Sequence, residues 1–302
     1  MDLKKLETEM RNPDTKDIDR CSTLDIVRKI NREDRKAADA VAEQEDKIAK
    51  VIDEVSARMK KGGRLIYIGA GTSGRLGVLD ASECPPTYGV EPTLVVGLIA
   101  GGMDAMFQAK EGAEDSVELA EADLKNLNLN ETDSVIGLAA SGRTPYVIGG
   151  LVYAASVGAF TGSVATVSNA EMSKYADVAI EAVTGPEAIT GSTRMKSGTA
   201  EKMICNMIST GCMIRYGKVY ENLMVDVQPT NLKLVERAKR IIAMAVGCTE
   251  AEAESLYNES KCDVKIAILM GINHTSASDA KEFLQDADGD VQKAITESKK
   301  NI

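Results

Sequence analysis

Between Gly63 and Gly89 the chain reads G-R-L-I-Y-I-G-A-G-T-S-G-R-L-G-V-L-D-A-S-E-C-P-P-T-Y-G, and this run limits the available folds more than any other. Leu65 to Ile68 is a short apolar run bounded by glycine, the pattern of a strand buried on both faces in a parallel sheet. Gly69, Gly71 and Gly74 then permit a tight turn and a close backbone approach to a ligand, with the Thr72 and Ser73 hydroxyls inside the turn. A helix that opens there turns its free amide N–H groups outward, which suits an anion, above all a phosphate. Leu94 to Gly97, Ser134 to Ala139, Gly162 to Val167 and Val178 to Ala182 read as further strands, and helical stretches such as Asp115 to Leu127 and Tyr146 to Val157 separate them. Such alternation predicts an α/β fold, a doubly wound parallel sheet with its sites beyond the carboxyl ends of the strands.

The flanks have a different character. Residues 1 to 20 are polar and contain Asn12-Pro13, which predicts an irregular arm. Ser22 with Asp25 forms a candidate capping box, and apolar residues from Ile26 to Met59 recur at helical spacing, as one helix or two joined near Asn31. The block G-P-E-A-I-T-G-S-T-R-M-K-S-G-T-A, Gly185 to Ala200, precedes a helix through Ile214, and a further helix spans Thr230 to Gly247. From Thr249, which with Glu252 makes a second capping box, four short helical patterns punctuated by Gly271 and Gly289 fit a small bundle. The expected division is 1–54 as N-terminal arm and helix, 55–218 as the α/β domain, 219–248 as a connecting helix and 249–302 as the bundle.

Charge narrows the partners. With 36 basic against 46 acidic residues the net charge is −10, which argues against a nucleic-acid or anionic-membrane partner. A phosphorylated small molecule would need local positive charge. No apolar run reaches the roughly 18 residues of a membrane span, and the N-terminus lacks an apolar signal core, so the expected location is cytoplasmic. Six scattered cysteines without a C-x-x-C pair, beside a single histidine, indicate neither a zinc site nor a disulfide framework. Cys84 as a nucleophile would have to find its base in the distant His274, which otherwise reads as a loop residue.

The glycine turn alone does not choose a ligand. It lacks G-K-[ST], so it is not a P-loop, and no acidic residue follows at the spacing a dinucleotide requires. A second loop, A-S-G-R-T at Ala140 to Thr144, repeats the hydroxyl and glycine pattern at the third strand. Two such loops suit the oxygens of a phosphate monoester, with Thr72, Ser73, Ser141 and Thr144 as donors and Arg143, Arg194 and Lys196 as cations. Taken singly, each hydroxyl reads equally as turn-forming or capping.

The pairing of G-A-G-T-S-G with A-A-S-G-R-T resembles a sugar isomerase (SIS) domain, a flavodoxin-like phosphosugar-binding fold. More narrowly, L-E-T-E-M-R-N-P-D-T-K-D-I-D from Leu6, the glycine-turn run, and the block from Gly185 to Ala200 are similar to the N-acetylmuramic acid 6-phosphate etherase family, across nearly the whole chain. The resemblance implies cleavage of a D-lactyl ether with no metal or cofactor, in a homodimer, by a chain with a small ubiquitin-associated-like C-terminal bundle. It puts the general acid on Glu83, in S-E-C-P-P, and the general base on Glu114, in K-E-G-A-E-D. It puts substrate binding on Gly71, Thr72, Ser73, Ser141, Gly142, Arg143, Thr144, Ser192, Thr193, Arg194 and Lys196.

The chemistry agrees with that assignment on its own terms. An ether departs as an alkoxide only if an acid protonates it, while the open-chain aldehyde acidifies the hydrogen at C2 and permits elimination across C2 and C3. Water then adds back with the two carboxyl roles reversed. Two glutamates hold opposite protonation states only in different surroundings. Cys84, Pro85 and Pro86 favour a neutral Glu83, and Lys110 favours an ionised Glu114. The same loops would also serve a sugar-phosphate sensor without turnover, or an aldose–ketose isomerase.

Overall fold

Among the described residues one sheet holds five strands: β1 (Leu65–Gly69), β2 (Val95–Ile99), β3 (Ser134–Leu138), β4 (Phe160–Ala165) and β5 (Val178–Glu181). The computed structural model describes residues 7–108, 110–226 and 232–298. β1, β3 and β4 are buried along their whole length, as strands covered on both faces must be. All are parallel, in the order β2-β1-β3-β4-β5. The direction of winding reverses between β1 and β3, and Gly69 at the end of β1 pairs with Ile99 of β2 on one side and Leu138 of β3 on the other. The segments that leave these three strands therefore start side by side at the switch point, where doubly wound sheets hold their ligands.

Six helices flank the sheet: α1 (Thr23–Ala42), α2 (Glu45–Met59), α3 (Gly71–Tyr88), α4 (Val117–Asn126), α5 (Pro145–Val157) and α6 (Lys196–Arg215). Strand alternation sends Ile66, Ile68 and Val135 to one face, where they pack with Leu124 of α4 and with Tyr146, Val147 and Leu151 of α5. Tyr67 points the other way and donates its hydroxyl to the Cys205 carbonyl of α6 at 3.2 Å. Arg64 fixes the relative height of β1 and β3 by pairing its guanidinium with the fully buried Asp133 at 2.6 Å.

The long N-terminal pattern divides into α1 and α2 at Glu43 and Gln44, not near Asn31. The arm before them, described from Glu7 with Leu6 outside the described residues, is ordered into short 3-10 turns at Glu7–Glu9, Pro13–Thr15 and Ile18–Arg20. Its polar side chains are buried because they satisfy the block after β5. Asn12 donates to the Pro186 carbonyl at 3.0 Å, Thr15 donates to that of Ala188 at 2.8 Å, and the Thr8 carbonyl accepts from Gly191 N–H at 3.3 Å. Two motifs far apart in sequence thus form one structure.

Contacts divide the chain into two units, residues up to Ser82 with Pro92–Gly211, and Glu83–Glu91 with the residues from Cys212 on. The second holds an antiparallel pair, β6 (Val219–Tyr220) and β7 (Leu223–Met224), followed by α7 (Leu232–Val246), α8 (Glu250–Glu259), α9 (Val264–Asn273), α10 (Ala277–Asp286) and α11 (Val291–Ser298). Thr249 and Glu252 complete the expected capping box on α8. α7 is no mere connector: Ala238, Ile241 and Ile242 join Tyr257, Ile268, Leu269 and Val291 in one core. Its expected start at Thr230 lies outside the described residues. Gly271 lies inside α9, not at a stop, and His274 caps that helix in the left-handed region at φ 50°. Among the described residues no helix is long and apolar enough to cross a membrane.

Candidate active site

The turn after β1 is tighter than any side chain allows. A Cβ on Gly74 would fall 2.6 Å from the Gly69 carbonyl oxygen, so the strand end and the helix start touch through backbone alone. α3 begins at Gly71, and Gly74 N–H already donates to the Ala70 carbonyl. Helical geometry leaves the amides of Gly71, Thr72 and Ser73 without a partner inside α3, an anion-binding arrangement. Gly71 is exposed, Thr72 half-buried and Ser73 buried. The Ser73 hydroxyl lies 2.8 and 2.9 Å from the two carboxyl oxygens of Glu201 on α6. Glu201 is fully buried, and that burial pushes its carboxyl up to about 8, against the pull of the Ser73 hydrogen bond.

Beside this turn runs the loop from β3 to α5. Gly142 has φ +65°, and a Cβ there would stand 2.3 Å from that of Ala170, so only glycine closes the bend. Ser141, Arg143 and Thr144 are half-buried around it, and Thr144 and Pro145 begin α5 at its N-cap and first helical position. The block before α6 reaches the same turn: a Cβ on Gly198 would lie 3.4 Å from Thr72 Cγ2 and 3.5 Å from the Thr193 carbonyl oxygen. Ser192 and Thr193 are half-buried and Arg194 is exposed. The structure therefore gathers these loops at one end of the sheet.

Lys196 departs from expectation. It is 1% exposed, and its ammonium pairs with the buried Glu33 of α1 at 2.7 Å. Glu33 also accepts from Lys36 at 2.7 Å and from Asn12 at 2.8 Å, while Glu187 accepts the Lys196 and Ser197 amides at the start of α6. Burial alone would push the Glu33 carboxyl up, yet hydrogen bonds from Lys196, Lys36 and Asn12 hold it below its usual range. Lys196 is thus a brace between arm, α1 and α6, with its charge already spent away from any phosphate. Glu33→Ala would strand that ammonium in the interior and is expected to cost about 3–5 kcal/mol in chemical unfolding, whereas an exposed glutamate changed to alanine costs under about 0.5 kcal/mol.

Next to Gly71 opens a cavity of about 170 Å³ lined by Arg75, Ala100, Ala105, Lys110, Glu111 and Glu114. Glu114 sits in a short 3-10 turn, Ala113–Asp115, just before α4 and not within a helix. Lys110 pairs with Asp104 at 3.2 Å rather than with Glu114, though it lines the same cavity. The guanidinium of Arg75 donates to the Met106 and Ala105 carbonyls at 2.9 and 2.7 Å and fastens one wall of the cavity to α3. Glu83 belongs to the second unit, near the end of α3, which continues through Pro85 and Pro86 instead of breaking there. It is exposed, so this chain by itself does not supply the expected desolvation. Cys84, about 100° further around the helix, turns inward at 2% exposure in its place.

Two participants escape sequence reasoning. Glu201, in S-G-T-A-E-K, looks like an ordinary helical glutamate, and only its burial sets it apart. Arg75 carries a weak signal, a cation one residue past the last glycine of the turn. Among the described residues no cluster of histidine, cysteine or carboxylate side chains has the arrangement of a metal site.

Over 98% of its length, and 99% of the relative's, the chain is 58% identical to the N-acetylmuramic acid 6-phosphate etherase of Lactobacillus gasseri. The chain belongs to the N-acetylmuramic acid 6-phosphate etherase family. The etherase of Clostridium beijerinckii is 57% identical over 98% of both chains. Within this etherase-family chain, residues 47–155 match the profile of the glucokinase regulatory protein N-terminal SIS domain. The fold is shared with a protein assigned as a phosphosugar isomerase involved in capsule formation from Bacteroides fragilis, at 20% identity and a TM-score of 0.50 over 65% of this chain and 94% of that one. A chain assigned as a sugar-phosphate isomerase from Listeria monocytogenes has the same score at 14% identity, over 69% of this chain and 99% of that one.

Proposed function

We propose that this chain cleaves the D-lactyl ether of N-acetylmuramic acid 6-phosphate, by elimination and then addition of water, in the recycling of cell-wall amino sugars. The observation that carries the reading is the cavity that joins Gly71 to Glu114: a carboxylate beside the opening of an anion-binding helix. In this reading the phosphate rests on the Gly71, Thr72 and Ser73 amides, with Ser141, Gly142, Arg143 and Thr144 from the β3 loop and Ser192, Thr193 and Arg194 from the block before α6. Glu114 takes the proton from C2 of the open-chain sugar, the C2–H electrons form the C2–C3 double bond, and the C3–O bond breaks. Glu83 gives its proton to the departing lactate oxygen. Water then attacks C3, Glu83 takes a proton from it, and Glu114 returns the proton to C2, so that both carboxyls end as they began.

The same reading makes the protein a cytoplasmic homodimer, and the exposed Leu24 and Val27 on α1, at 58% and 57%, leave apolar surface for a second copy. The test is incubation with N-acetylmuramic acid 6-phosphate in ¹⁸O-labelled water. Lactate should appear without label while the sugar phosphate gains it at C3. Labelled lactate would mean that the bond on the lactyl side breaks, and aldose–ketose conversion with no lactate would make the chain an isomerase.

A further inference from the structure

Glu201 sits in a place that gives a carboxyl little support. Its side chain has no exposure, and its two oxygens share one hydroxyl, that of Ser73, in the turn that opens α3. The groups around it are mostly acidic or neutral. Asp80, two turns along α3 from Ser73, is held by Asn206 at 2.7 Å and Ser209 at 3.1 Å; Cys205 is one turn along α6 from Glu201; Tyr67 faces them from β1. Glu187 holds the first amides of α6. Of the nearby lysines, Lys196 is committed to Glu33, and Lys202 is exposed and acts on Asp80.

We propose that Glu201 is a positioning residue for the substrate phosphate, acting through Ser73: when neutral it donates its own proton to Ser73 Oγ and leaves the serine proton for the phosphate, and when ionised it takes that proton back. This rests on the sugar-phosphate reading of the turn. A hydroxyl has one proton to give and two lone pairs to receive. With Glu201 ionised, the single Ser73 proton is held by the carboxylate, the phosphate meets a lone pair, and an uncompensated negative charge lies beneath it. With Glu201 neutral, the pair runs as a relay whose last donor points outward. Phosphate binding and protonation of Glu201 are then linked reciprocally. Since burial sets the Glu201 carboxyl at about 8, the competent form predominates at neutral pH and is lost above that value. A phosphate monoester has its second ionisation near pH ~6, so the ligand does not itself titrate between about pH 7.5 and 9.5.

The experiment is calorimetric titration with N-acetylglucosamine 6-phosphate across that range, in buffers of different ionisation enthalpy. Wild-type Kd should rise about tenfold per pH unit above about pH 8, because only the protonated fraction binds, and near pH 9 binding should draw in about one proton. Glu201→Gln, which keeps a donor and an acceptor without a charge to gain, should show a flat profile and no proton uptake. A Glu201→Gln profile as steep as that of wild type overturns the coupling. Should that variant fail to fold, Ser73→Ala gives the same decision: weaker binding with a flattened profile supports the relay, and an unchanged slope overturns it. Sugar-phosphate binding with this pH profile but no lactate release would defeat the etherase reading and leave the relay standing. Lactate release with a pH-independent Kd would do the reverse, and absence of any sugar-phosphate binding would defeat both.

Discussion

Glu114→Gln is expected to lower lactate release by about 10²–10⁴-fold and to abolish exchange of the C2 hydrogen with solvent. Glutamine keeps the size and hydrogen-bonding span of glutamate but cannot take a proton, so the first step has no base. Glu114 is exposed in a short turn at the rim of its cavity, and the fold does not rest on it. The change should therefore shift stability by no more than about 0.5 kcal/mol, and thermal unfolding separates a catalytic loss from a folding one. Continued C2 exchange in heavy water with the variant would remove Glu114 from the role of base, whatever happened to lactate.

Glu83→Gln should separate the two halves of the elimination. If the carboxyl only delivers a proton to the leaving oxygen, C2 deprotonation remains possible and C2 still exchanges in heavy water, while lactate release falls by about 10²–10⁴-fold. The physical reason is the poor alkoxide leaving group: without an acid, the carbanion formed at C2 is reprotonated faster than the C3–O bond breaks. Loss of exchange together with lactate release would count against this division of labour, because it would place Glu83 in the proton abstraction or in binding. Glu83 is exposed on a continuous helix, and glutamine fits a helix as readily as glutamate, so the fold should be unaffected.

Much of this was legible in residue order. A short apolar run bounded by Gly63 and Gly69 marks β1, and the run Val135 to Leu138 marks β3, because strands covered on both faces are built mostly from apolar side chains. The glycines at 69, 71 and 74 mark the turn, because a Cβ on Gly69 or Gly74 would collide with the other's backbone and Gly71 takes a left-handed φ of +54°. Helix ends were less legible. Cys84-Pro85-Pro86 reads as a stop because a proline lacks the amide and crowds the carbonyl one turn back, yet α3 passes through it, and Gly89 N–H still donates to the Pro85 carbonyl at 2.9 Å. Gly271 reads as punctuation and instead lies within α9, where its missing side chain leaves room for Val246.

From its sequence alone this protein was committed to a doubly wound sheet and a glycine turn built for an anion, because those depend on local sterics and periodicity, while Glu83 and Glu114 stood out only through the resemblance of their motifs to a family. The allocation of charge was settled only by the tertiary structure. Lys196, in a block that looks made for phosphate, is turned inward to Glu33, and Glu201, which reads as an ordinary helical glutamate, is buried beneath the serine of the turn. A charge buried in the interior needs a partner or must be neutralised, and which partner it meets depends on segments more than a hundred residues away.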